Sequence, residues 1–124
     1  MAIAMVIDDS RAMRMILSRS LVQFGYEVHT AGNGKEALAY LENDAPEMAL
    51  MLVDWNMPEM DGLEFIKRVR AIPRYAASLL MMVTTETEVD QMVKALEAGA
   101  NEYVMKPFTD EIIADKLRLM GVMR

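Results

Sequence analysis

Five short apolar runs alternate with five longer segments of helical period, and no other feature constrains the fold as tightly. The runs are IAMVI (3–7), EVHTA (27–31), ALMLV (49–53), LLMMV (79–83) and EYVM (102–105). The first, third and fourth are apolar almost throughout, as strands covered on both faces of a parallel sheet must be. The second is shorter of apolar residues and more polar, which places it at an edge. Between the runs, Met13, Ile16, Leu17, Leu21 and Phe24 recur at helical spacing and stop at Gly25. Asn33 with Glu36 reads as a capping box that opens a second helix through Leu41. Asp61 caps a third helix, GLEFIKRVR. Thr87 with Asp90 opens a fourth, with the stripe Val89, Met92, Val93 and Leu96 as its core side and Gly99 as its stop. Thr109 opens a fifth that runs to about Met120. Strand and helix in strict alternation predict a single doubly wound α/β domain over residues 1–124, a parallel sheet with right-handed crossovers and helices on both faces.

Polar residues collect at the strand ends. Asp8 and Asp9 follow the first strand, Asp54 the third, Thr84 and Thr85 the fourth, Lys106 and Pro107 the fifth. In an open α/β sheet ligands bind at the carboxyl ends of the strands, where the strand order reverses. If the first and third strands are neighbours, three carboxylates share one crevice with a hydroxyl and an ammonium. Two carboxylates about 4 Å apart repel by roughly 4 kcal/mol at an effective dielectric of about 20. Either their pKa values rise or a cation binds. Oxygen donors alone suit a hard cation, and carboxylates with open water positions suit Mg²⁺. A carboxylate at a strand tip is also a nucleophile toward phosphorus. Mg²⁺, Lys106 and the Thr84 hydroxyl would then hold the phosphoryl oxygens in transfer. Each residue alone has an ordinary explanation: Asp9 or Ser10 as a helix cap, Asp54 opening a turn, Thr84 bonding backbone, Lys106 solvated. Four strand ends carrying the parts of one phosphoryl site favour the joint reading.

Charge narrows the partners. The net charge is −6, and no basic run exceeds IKRVR. Nucleic-acid backbones require clustered positive charge, so a protein or a cation is the expected partner. No apolar run approaches the roughly 20 residues of a membrane span. MAIAMVIDDS lacks the basic start of a secretory signal, and the absence of cysteine fits a cytoplasmic protein. The fourteen methionines read chiefly as core filler, although methionine also serves adaptable binding faces.

VIDDS, LVDWNMPEMDG, VTTE and YVMKPF occur in order along the chain. In order and spacing they resemble the receiver domains of two-component response regulators, and the resemblance covers the whole sequence. DWNMP followed by MDG resembles the single-domain chemotaxis branch of that family. The resemblance implies a flavodoxin-like strand order 2-1-3-4-5 and a phosphorylation-driven switch rather than an enzyme. It implies Asp54 as phosphoacceptor, and Mg²⁺ held by Asp9, Asp54 and the Asn56 carbonyl, with Asp8 acting largely through water. Thr84 and Lys106 would contact the phosphoryl group, and Tyr103 would change rotamer as Thr84 moves. The Lys106–Pro107 peptide is expected to be cis. Thr85 departs from the smaller residue of many relatives. The implied partners are a histidine kinase as phosphodonor and a protein target, such as a flagellar switch protein, on the fourth helix, fifth strand and fifth helix. The chain is expected to be monomeric, and the fifth helix uses it up, so a stand-alone receiver without an output domain is expected.

Competing readings differ in single features. A stand-alone receiver in a phosphorelay or a non-flagellar pathway has the same motifs. A phosphatase of the haloacid-dehalogenase type needs a second acid two residues after its nucleophile, where this chain has Asn56. A nucleotide binder needs a phosphate loop after the first strand, and no GK[ST] occurs. His29, on the second strand, reads as structural, and Trp55 as a surface hydrophobe or a reporter of the Asp54 site.

Overall fold

Apolar runs with no polar side have to be covered on both faces, and the architecture does this with one sheet between two helical layers. The computed structural model describes residues 2–43, 45–86 and 88–121. Its strands are β1 (Ile3–Ile7), β2 (Glu27–Ala31), β3 (Leu50–Val53), β4 (Leu79–Thr84) and β5 (Glu102–Met105). Its helices are α1 (Arg11–Gln23), α2 (Gly34–Glu42), α3 (Gly62–Arg70), α4 (Val89–Ala98) and α5 (Asp110–Leu119), with a 3-10 turn at Pro73–Tyr75. All pairings are parallel, in the order β2-β1-β3-β4-β5. The polar second strand is an edge, as expected, and the order reverses between β1 and β3. β3 starts one residue after the apolar run and β4 extends one beyond it, to Thr84.

Alternate side chains enter two cores. Met5, Ile7, Met51, Val53, Leu80 and Met82 meet Leu38 of α2 and Phe65 and Ile66 of α3. Ala4, Val6, Leu50, Leu52, Met81 and Val83 meet Leu17 and Leu21 of α1 and Ile113 and Leu117 of α5. The central strands therefore show no polar alternation.

Four of the five helices begin at the side-chain caps expected from the sequence. Ser10, Asn33, Asp61 and Thr109 accept from the backbone N–H three residues on. The Glu36 carboxylate, however, accepts from Gly32 N–H rather than completing the box on Asn33. Thr87 lies outside the described residues, and Glu88 precedes α4 without a side-chain cap. Of the α4 stripe expected in the core, Met92 packs against it, yet Val89, Val93 and Leu96 are exposed and Ala95 is the fully buried residue. Small Ala95, with Ala98 half-buried beside it, lets α4 lie close to the sheet and turns the longer side chains outward. Ile16 is likewise exposed, because α1 packs along Leu17 and Leu21.

The basic run IKRVR is not a solvated patch throughout. Arg70 donates to the carbonyls of Gly99, Tyr75, Ala76 and Ser78 and to Asn101 Oδ1. Burial lowers its pKa, and the carbonyl-rich ends of α3 and α4 are where a cation is favoured.

One glycine sets the loop after β3. Gly62 N–H donates to Trp55 O at 2.8 Å, and a Cβ on Gly62 would lie 2.2 Å from the Asp54 carbonyl oxygen. No side chain fits without moving the backbone of Asp54. Gly62→Ala is expected to cost about 1–3 kcal/mol, lowering Tm by on the order of 5–15 °C. It should also shift the emission of Trp55, and a melting curve with fluorescence detection reads both.

Candidate functional site

Register brings the acids together before any side-chain contact is considered. Ile7 lies opposite Val53, and Asp54 N–H donates to Ile7 O at 2.9 Å. The next residues, Asp8 and Asp54, therefore leave adjacent strands side by side. Thr84 lies opposite Met105 across β4 and β5, and Lys106 N–H donates to Thr84 O at 2.8 Å. The fifth strand thus delivers its lysine to the same end of the sheet, through a cis Lys106–Pro107 peptide as expected.

Asp8, Asp9 and Asp54 each place a carboxylate oxygen within 4.8 Å of the other two. Asp8 and Asp54 are buried and Asp9 is exposed. Lys106 Nζ lies 2.9 Å from Asp8 Oδ2 and 3.6 Å from Asp54 Oδ2. Asp8 is held from two further directions: its Oδ1 accepts from Ser10 N–H at 2.9 Å, and its carbonyl accepts from Arg14 Nη1 at 2.7 Å. Burial raises the Asp54 pKa, with Asp8 adding to the rise. The Lys106 cation, the Thr84 hydroxyl and the Trp55 N–H oppose it without cancelling it. A cation-seeking cluster and a partly restrained carboxylate therefore occupy one strand-end crevice.

The remaining expected residues divide. Thr84 is fully buried, and its Oγ1 accepts from Glu86 N–H at 3.4 Å. Tyr103 is buried, and its hydroxyl donates to Glu86 O at 2.8 Å. Asn56 is exposed, and its amide donates to Glu86 Oε1 at 3.2 Å. Glu86 thus touches Thr84, Tyr103 and Asn56, a role that sequence reading did not assign although the residue closes the VTTE motif. Arg14 was also missed, since an arginine on a helix carries no signal of a carbonyl six residues earlier. Trp55 is buried in the core rather than a surface hydrophobe, and Thr85 is exposed. His29 stays apart from the acids, stacked on Tyr40 at 5.7 Å with Nε2 3.2 Å from Glu27 Oε2.

The raised pKa has a consequence for stability. A raised value means that the fold binds the Asp54 proton more tightly than the unfolded chain does. Ionising Asp54 therefore costs stability as pH rises from the ordinary carboxylate range through the raised value. Asp54→Asn, measured in EDTA, should raise Tm at neutral pH. The gain should shrink as acid protonates the native aspartate, and thermal melts across a pH series check the sign.

Comparison with known proteins agrees with this geometry. Residues 4–118 match the model of the response regulator receiver domain. The chain is 41% identical over 117 residues to chemotaxis protein CheY1 of Helicobacter pylori, covering 94% of each. The structure of chemotaxis protein CheY4 of Vibrio cholerae superposes with a TM-score of 0.88 at 36% identity, covering 96% of this chain and 98% of that one. A response regulator of Burkholderia pseudomallei, solved with a phosphorylated aspartic acid, calcium ion and citrate, gives 0.81 at 25% identity, covering 98% and 73%. With its acids, threonine and lysine gathered at the strand ends and its similarity to CheY proteins, the chain belongs to the response regulator receiver domains of two-component signalling.

Proposed function

We propose that the chain is a phosphorylation-activated switch whose phosphoacceptor is Asp54. The observation that carries this reading is the convergence of Asp8, Asp9 and Asp54 within 4.8 Å, with Lys106 bridging the two buried acids. Three carboxylates in oxygen-only surroundings fit Mg²⁺. Asp9, Asp54 and the Asn56 carbonyl would hold the ion, with Asp8 acting through water. Bound there, Mg²⁺ supplies positive charge that the phosphoryl oxygens need in transfer. An Asp54 oxygen attacks the phosphorus of a phosphohistidine, the phosphorus–nitrogen bond breaks, and the imidazole leaves to take a proton from solvent. Lys106 moves from bridging carboxylates to binding a phosphoryl oxygen, so no cation is left unpaired. The aspartate phosphate in the Burkholderia pseudomallei relative supports the same chemistry in this fold.

The switch then runs through Glu86. Thr84 Oγ1 accepts from Glu86 N–H at 3.4 Å, while Glu86 O accepts from the Tyr103 hydroxyl at 2.8 Å. A phosphoryl group on Asp54 draws the Thr84 hydroxyl to itself, and the Glu86 backbone and Tyr103 ring respond together. Moving such an equilibrium from 1:99 to 99:1 takes about 5.5 kcal/mol. One charge-assisted hydrogen bond contributes roughly 1.5–3 kcal/mol, so Lys106 must share the work with Thr84. The output is a protein contact on α4, β5 and α5, in chemotaxis a flagellar switch protein, and the chain acts as a cytoplasmic switch rather than as an enzyme on an external substrate. A phosphorelay without a flagellar target would use the same site and the same face.

Two experiments test the reading. Acetyl phosphate with Mg²⁺ should label the protein with a phosphate labile to base and hydroxylamine, absent in Asp54→Asn and without added metal. A base-stable label would place the phosphate on His29 and overturn the assignment. Thr84→Ala should keep phosphorylation and lose part of the beryllofluoride-dependent gain in target affinity, and Tyr103→Ala should lose most of it. Calorimetry with a flagellar switch protein reads the gain; equal gains in all forms would route the signal elsewhere.

A further inference from the structure

α1 is a basic helix in an acidic chain. It carries Arg11, Arg14 and Arg19 and no acid, while the net charge of the protein is −6. Arg11, Arg14, Met15 and Ser18 stand at i, i+3, i+4 and i+7 and therefore share one face of the helix. With Thr30 of the edge strand β2 they line a groove of about 280 Å³. Two arginines one turn apart repel, and nothing on α1 compensates them.

The fold leaves the donors of this groove largely unspent. Among the described residues, neither Arg11 nor Arg14 has an ion-pair partner. Arg14 commits Nη1 to the Asp8 carbonyl at 2.7 Å, which fixes its guanidinium in place. A Cβ on Gly32 would lie 3.6 Å from Arg14 Nη1 and 3.3 Å from Glu36 Oε2, but the Glu36 carboxylate accepts from the Gly32 N–H instead of pairing with the arginine. The Ser18 hydroxyl oxygen is withdrawn from solvent and has no hydrogen-bond partner. Ser20, two residues on, finds Ile16 O and Asp110 Oδ1. Buried polar groups are bonded as a rule, so an unbonded hydroxyl beside two guanidinium groups marks a place for an acceptor.

We propose that the groove binds a small phosphate-bearing anion. Arg11 and Arg14 meet its oxygens, the Thr30 hydroxyl donates from the rim, and Ser18 donates from the floor once the exposed, unbranched Met15 side chain swings aside. The guanidinium fork matches a phosphate edge, and two such cations favour a dianion over a simple carboxylate. The volume falls just under the roughly 300 Å³ at which pockets for drug-sized ligands begin, so the ligand is small. The site lies outside the acid cluster and does not depend on the role of Asp54.

Titration of the full chain with inorganic phosphate and with glycerol 3-phosphate, in EDTA at constant ionic strength and followed by amide NMR shifts, tests the proposal. Both should give saturable shifts at residues 11–18 and 30, and acetate should bind at least tenfold more weakly. Equal affinities would assign the groove to free phosphate and a tighter ester would assign it to a phosphate monoester; either supports the site. Arg11→Gln should weaken binding about tenfold, the worth of one charge-assisted hydrogen bond. Arg19→Gln, the same charge change off the stripe, should leave it within twofold. Ser18→Ala removes no bond of the free protein, so Tm should not fall while affinity does. Lys106→Gln should leave the affinity unchanged. Absence of saturable shifts, equal losses in Arg11→Gln and Arg19→Gln, or unchanged affinity in Ser18→Ala would overturn the proposal. Loss of binding in Lys106→Gln alone would place the phosphate in the acid crevice and also overturn it.

Discussion

The in-register parallel pairing of β1 with β3 sets two buried aspartates next to each other, and much of the molecule answers to that repulsion. Ile7 opposite Val53 leaves Asp8 and Asp54 no choice but to emerge together. Both are largely withdrawn from water. At separations of about 4 Å, like charges in such surroundings cost several kcal/mol unless something positive intervenes. Lys106, carried to the same end by the backbone bond to Thr84, supplies that charge at 2.9 and 3.6 Å. The arrangement is stable enough to fold and still unbalanced enough to favour a cation or a phosphoryl group.

A strained electrostatic centre needs a rigid frame, and the frame is mostly backbone. Gly62 lets α3 begin hard against the Asp54 carbonyl, so the acid is held by main chain on both sides. At the other end of the same helix Arg70 ties the ends of α3 and α4 and the 3-10 turn through carbonyls. α4 is thus anchored at Gly99, just past its C-terminal end, by the Arg70 guanidinium. Thr84 and the Tyr103 hydroxyl both meet the backbone of Glu86, three residues before α4.

The surface over α4 and α5 follows from packing economy. Ala95 is the one buried residue of α4, so the helix sits close and presents valine and leucine outward. Exposed apolar side chains at helical spacing are uncommon on a face with no partner.

Much of the fold and most of the site were legible in the residues alone. Alternation of apolar runs with helical periods determines a parallel α/β sheet, because a strand without polar residues has to be covered on both sides. Capping residues such as Ser10, Asn33, Asp61 and Thr109 determine where four of the helices begin, because their bonds span three residues. The acids, threonine and lysine at the strand ends mark the site, because such sheets expose those ends. What the sequence could not decide depends on contacts between distant elements. Periodicity locates an apolar stripe but not its direction, so α4 was expected to bury Val89, Val93 and Leu96 and instead buries Ala95. Local sequence could not show that Trp55 enters the core, or that Arg70 spends its donors on carbonyls up to 29 residues away. Nor could it give Glu86 its place among Thr84, Tyr103 and Asn56, which only the side-by-side docking of β3, β4 and β5 creates.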